Sequence, residues 1–245
     1  MQTQAAGWSA ADAPDKSVAA RFAGILFAPR ATYAAVAARP RWLGMFLTVY
    51  IITASAATAL MSTEVGRNAL LDRQITQAES FGRKLTQEQI DRFEKFSSYF
   101  AYATPVLQFA FLAVGGLVIS GVAYAVFNAL LGGDATFKQV FAIVTHSGVV
   151  LAVLSLFTTP LSYARESLAS TTNLAVFLPF LDESSFAAHF LGSLDLIVIW
   201  WIVSLAIGLG VLYRKRTGPI AITFFSVYVA IGVIIAAVKS VSTGA

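Results

Sequence analysis

Cysteine is absent from all 245 residues, which excludes disulfides, thiolate nucleophiles and Cys-ligated metals. Histidine is nearly absent too: His146 and His189 are the 2 in the chain, and they are too few and too far apart to make a metal set. No GxSxG, HExxH, Walker A or Rossmann fingerprint occurs. A hydrolase would need a nucleophile with a base on a facing helix, whereas Ser147 directly follows His146 and points elsewhere on the same helix. The chain is therefore read as a non-enzyme without metal or cofactor. Charge is scarce as well, at 12% of residues against about 25% in ordinary soluble domains. No Pro/Ser/Gly-rich or highly charged linker divides the chain into groups, so one bundle is expected rather than two domains. The first 41 residues lack a basic start followed by a short apolar run and a small-residue cleavage site. No cleaved signal peptide is expected, and the first apolar segment serves as the insertion signal.

What fills the chain instead is apolar: 57% of residues are hydrophobic and the mean hydropathy is +0.72. Five runs, at about 42–62, 103–131, 140–160, 194–213 and 219–238, meet or approach the about 20 residues needed to cross a hydrocarbon core about 30 Å thick. Asp195, at the edge of the fourth, is the one charge inside them. The membrane is the solvent that this composition requires.

With pI about 9.4, the side of the bilayer that holds the basic residues matters more than the total, and no nucleic acid is expected. Counting alternate loops puts Lys16, Arg21, Arg30, Arg39, Arg41, Lys138 and the Arg214-Lys215-Arg216 cluster on one side, with Asp12, Asp15 and Asp134, for a net +6. The other side, including Asp182, Glu183 and Asp195, nets −2, and together they restore the overall +4. Basic residues near span ends stay in the cytoplasm, so the N-terminus is expected inside and, after five crossings, the C-terminus outside.

The expected fold is thus all-α. A flexible N-terminus (1–16) leads to amphipathic helices over 17–41, then to a five-span domain over 42–239 and an external tail (240–245). In 17–41, Val18, Phe22, Ile25 and Leu26 share a helical face, Pro29 interrupts it, and Tyr33 and Val36 resume it. These helices either lie in the cytoplasmic interface with Trp42 at headgroup level or pack under the bundle; the sequence leaves both open. Between the first two spans, 64–98 carries six acidic and six basic residues, with Leu71, Ile75 and Ala78, then Ile90, Phe93 and Phe96, at helical spacing. A break falls at 82–85 and Thr86 with Gln89 forms a capping box, which indicates an external helical hairpin. Segment 161–193 is expected to be irregular, with one short helix.

Small residues at spacing of four, Gly121/Ala125, Ser204/Gly208 and Ala206/Gly210, mark helix-packing faces. They do not separate packing within one chain from pairing of two copies. Polar chemistry in the spans reduces to Asn128, His146 and Asp195. Each has a structural reading, as a hydrogen-bonding strut or an interface carboxylate, and a functional one, as part of a path for protons, ions or lipid. Asp134, Lys138, Arg214, Lys215 and Arg216 form a candidate cytoplasmic face for a protein partner or a lipid headgroup.

The run 131–139, Leu-Gly-Gly-Asp-Ala-Thr-Phe-Lys-Gln, with the following 142–149 segment, resembles the turn and third span of the Yip1 family, in its bacterial branch. Phe27 to Tyr33 ahead of Arg39-Pro40-Arg41-Trp42, the Gly192 to Asp195 start with Trp200, and Ala206-Ile207-Gly208 are similar to that family as well. The resemblance covers nearly the whole chain from about Phe22. It implies five spans with the N-terminus inside and the C-terminus outside. Eukaryotic relatives act in Golgi and vesicle traffic and contact Rab-type GTPases, so what transfers here is the architecture. Two functions follow as expectations: a membrane protein that organises membrane or partners, or a small channel or transporter using Asn128, His146 and Asp195.

Overall fold

The computed structural model describes residues 17–182 and 185–242. The N-terminus expected over 1–16, Glu183, and the last three residues of the expected tail lie outside them. Among the described residues the regular structure is helical, and the β-type pairing is an isolated bridge between Asn173 and Asp195. Four helical stretches are long and apolar enough to cross a membrane. The first is α3 (Leu43–Met61). The second is α6 (Phe100–Tyr124), continued by a π-helical segment, Ala125–Leu130. The third is α7 (Phe137–Ser147) followed by α8 (Val149–Ala164), and the last is α11 (Thr217–Ser242). The fourth expected span is a shorter apolar helix of 17 residues, α10 (Leu196–Leu212).

The local signals explain the boundaries. Ser17 caps α1 (Val18–Phe27), its hydroxyl accepting from the Ala20 N–H at 3.2 Å. Pro29 opens α2 (Pro29–Ala38), a position where its missing N–H costs nothing. Thr63 caps α4 (Glu64–Ser80). Thr86 and Gln89 form the full capping box of α5 (Gln87–Ser97). Thr136 and Gln139 form another at the start of α7. The stretch 165–193 holds a 3-10 turn, Leu174–Phe177, and α9 (Phe186–Ser193). Gly192 and Ser193 finish α9, just before the run at 194–213, because the chain extends at Leu194 (ψ 106) to pair with segment 172–174.

The centre of the bundle is α7. Every residue from Val140 to Ser147 is buried, and α7 touches α1, α2, α3, α6, α8 and α10. The spans around it keep lipid-facing sides: α6 exposes Val106, Phe111, Val118 and Val122, and α11 exposes Ile222, Val227 and Ile234. That is the distribution expected where lipid is the solvent.

The N-terminal helices pack against the bundle through one face each. Thr32 and Tyr33 are fully buried and Ile25 and Arg21 nearly so. α2 lies against α7 and α10. The Arg21 guanidinium is held by a donated bond from Nη1 to the Arg41 carbonyl at 3.0 Å. Tyr33 and Ser204 share a hydroxyl hydrogen bond of 2.8 Å. Burial pushes the Tyr33 phenol above the usual tyrosine range, with the Ser204 bond acting in the opposite direction.

This approach depends on Gly208. A Cβ there would lie 2.5 Å from Ile143 Cγ2 and 3.0 Å from the Tyr33 ring. The α6 glycines differ, because Gly115 and Gly121 face open space. Gly208→Ala should therefore destabilise the protein by about 1–3 kcal/mol through overpacking. Gly115→Ala, which meets nothing and removes backbone freedom, should be neutral or stabilising by up to about 1 kcal/mol. Thermal unfolding of both variants in detergent checks the contrast, and equal shifts would contradict it.

Candidate functional site

The candidate polar residues fall into two clusters and one isolated position. At one end of α10, Asp195 is the N-cap. Its Oδ1 accepts from the Ile197 N–H at 2.8 Å, Ser170 Oγ donates to Oδ2 at 2.6 Å, and Thr172 Oγ1 lies 2.9 and 3.0 Å from the two carboxylate oxygens. The backbone joins in, with Leu174 N–H donating to the Leu194 carbonyl and Leu196 N–H to that of Thr172. Tyr228 of α11 accepts from the Asp195 N–H and donates to the Ser193 carbonyl, both at 2.8 Å. The carboxylate thus ties segment 170–172 to the start of α10, the backbone on either side of it is tied to α11, and its negative charge stands at a helix N-terminus, where it is favoured. It is half-buried and lines a cleft of about 590 Å³ with Arg73, Gln108, Thr172 and Met61.

Asn128 is at the opposite end, on the π segment. Its amide donates to the Ala135 carbonyl and its Oδ1 accepts from the Tyr213 hydroxyl, each at 2.6 Å. The Tyr213 ring stacks on Phe127 at 4.7 Å. Gly133 is what admits that ring, since a Cβ there would be 2.6 Å from it; Gly132 takes the left-handed turn at φ 66°. The turn that carries Asp134 is in this way clamped to the residue preceding Arg214.

After Tyr213 the chain leaves α10 through a Schellman turn. Lys215 N–H donates to the Gly210 carbonyl at 2.9 Å, and Arg214 takes the left-handed position at φ 54°. Arg214, Lys215 and Arg216 then line a cleft with Thr217, Gly218 and Pro219, and its opposite wall is Arg30 of α2. Asp134 and Lys138 are exposed nearby and are not among its lining residues. Arg30 was counted from sequence as one more basic residue of the N-terminal helices. Nothing local links it to residues 214–216; the packing of α2 on α10 does.

His146 joins neither cluster. It is fully buried in α7 and hydrogen-bonds through Nδ1 to the Ala142 carbonyl at 2.7 Å. A carbonyl only accepts, so Nδ1 carries the proton, and the buried Nε2 has no partner among the described residues. Ser147 beside it accepts from the Trp201 indole N–H at 3.0 Å. The length of α10, about 25 Å at 1.5 Å per residue, runs between Asp195 and Tyr213, the partner of Asn128. Among the described residues no group of His, Asp and Glu could hold a metal ion.

The family model of the Yip1 domain matches residues 23–238, nearly the whole chain. The chain belongs to the Yip1 family. Its apolar helices accordingly make this Yip1-domain protein a multi-pass membrane protein. No match is found among curated proteins or among solved structures. The match takes in both polar clusters of the Yip1 domain, the Asp195 junction and the basic cleft.

The Asp195 bonds separate capping from charge. Asp195→Ala removes the cap and leaves Ser170 and Thr172 without their acceptor, and should cost about 2 kcal/mol. Asp195→Asn keeps an acceptor and should cost less than half of that. Thermal unfolding of the two variants checks the order, and equal losses would assign the stabilisation to the charge alone.

Proposed function

We propose that this Yip1-domain protein is non-enzymatic and organises membrane or partner proteins through a basic cytoplasmic face. The observation that carries the reading is the gathering of Arg30, Arg214, Lys215 and Arg216 around one cleft, at the end where the basic bias of the loops marks the cytoplasm. In this reading α10 is the fourth of five spans of a bacterial inner-membrane bundle and α11 the fifth. The 17 residues of α10 cover about 25 Å, near the thickness of the hydrocarbon core, and Asp195 and Tyr213 continue it at either end. The N-terminus is then inside and the C-terminus outside, and α4 and α5 form an external hairpin. Asp134 and Lys138 extend the cytoplasmic face, and the open glycines of α6 are where a second copy would pack.

A second reading, a small channel or transporter for protons, ions or lipid, is favoured by the unpartnered Nε2 of His146 and by the cleft beside Asp195. The hydrogen bonds of Asn128 and Asp195 favour the first, since both side chains are engaged in holding segments together.

Because the chain has no cysteine, single-cysteine labelling has no background to remove. Gln87→Cys should react with an impermeant maleimide in intact cells, and Lys215→Cys only after permeabilisation; the reverse pattern would invert the topology. Proton and ion flux in liposomes should not exceed that of empty vesicles. Flux that Asp195→Asn abolishes would replace the organising role with transport.

A further inference from the structure

The basic cleft does not end at its charges. Lys215, Arg216 and Pro219 also line a second, apolar groove, walled by Val126, Phe127 and Leu131 on one side and by Ile220 and Phe224 on the other. One wall is the π-helical end of α6 with the turn after it, and the other is the first turns of α11. From Pro219 to Phe224 the groove follows α11 for about 8 Å, along a helix whose outer side faces lipid. A basic cleft of about 670 Å³ thus adjoins an apolar groove of about 480 Å³, the two sharing Lys215, Arg216 and Pro219.

We propose that this composite site binds one anionic phospholipid, with its phosphate between Arg30 and residues 214–216 and one acyl chain along the groove. The proposal rests on the reading above, because it names the partner of the same basic face. Four cations line one cleft, and among the described residues no ion pair includes any of them. Their mutual repulsion is relieved by an anion. Guanidinium groups match phosphate oxygens two at a time, so three arginines suit a phosphate better than isolated point charges would. A protein partner would satisfy the charges but would leave the adjoining apolar groove unexplained; a lipid occupies both. The cleft is also preformed. Tyr33 and Ser204 fix α2, and with it Arg30, while the Schellman turn fixes Arg214 and Lys215.

The test places the full chain in nanodiscs of phosphatidylcholine and phosphatidylglycerol, extracts it, and counts retained lipid by native mass spectrometry. One phosphatidylglycerol per copy is expected, in preference to phosphatidylcholine. Each single change, Arg30→Gln or Arg216→Gln, should lower that preference about fivefold, and neutralising all four residues should lower it at least about a hundredfold. Arg83→Gln with Lys84→Gln, which removes charge elsewhere, should change nothing. Thr223→Trp keeps every cation but fills the groove, and it should abolish retention in a protein that unfolds at the wild-type temperature. Phosphatidylglycerol retained equally by the fourfold variant would overturn the proposal. So would displacement by soluble glycerol phosphate together with unchanged binding in Thr223→Trp, which would mark a phosphate site without a lipid. The labelling pattern of Lys215→Cys reports orientation whether or not lipid is retained, so failure of the topology and failure of the lipid site are read separately.

Discussion

The close approach of α2, α7 and α10 at Gly208 is the constraint on which the rest of the structure depends. Without a side chain at that position, Ile143 and the Tyr33 ring pack directly on the α10 backbone, and the Tyr33–Ser204 bond satisfies two hydroxyls that would otherwise be stranded in an apolar interior. Helices in lipid gain little from hydrophobic burial against one another, so tight packing and satisfied polar groups hold them together. This contact draws an N-terminal helix into the bundle, completes the burial of α7, and carries Arg30 to the far side of the chain's basic turn.

The polar side chains of the bundle show the same economy. Asn128 secures the turn after α6 to Tyr213, Asp195 closes the junction of α10 with segment 170–174 and α11, and Ser147 receives the Trp201 indole. Each satisfies a neighbour that lipid could not. His146 departs from this, with one ring nitrogen engaged and the other buried without a partner among the described residues, as do the buried hydroxyls of Thr32 and Thr58.

The basic end is organised differently. Asp134, Lys138 and residues 214–216 are exposed, and the turns that carry them are held by backbone bonds and by aromatic stacking of Phe127 on Tyr213. Rigid turns that present unpaired cations beside an apolar groove are suited to a charged amphiphile, whose headgroup and chain differ in the same way as the two halves of the site.

Much of this was legible along the chain. The long apolar runs, the scarcity of charge, the break at Pro29 and the capping box of Thr86 are local features. Each follows from a few neighbouring residues and the chemistry of the backbone, which is why the helices stand within a few residues of where periodicity and capping put them. Helix α9 was legible as a short helix within 161–193 but without its bounds, because its end at Ser193 is set by strand-like pairing with residues distant in sequence. The sequence by itself therefore determined a helical membrane protein of the Yip1 family, with basic residues concentrated in particular loops. Only the tertiary structure decided that α1 and α2 each bury one face against the bundle, that Asn128, His146 and Asp195 stand apart, and that Arg30 lines one cleft with Arg214, Lys215 and Arg216. Those outcomes depend on which helix faces meet, and helical periodicity names the faces without naming their partners.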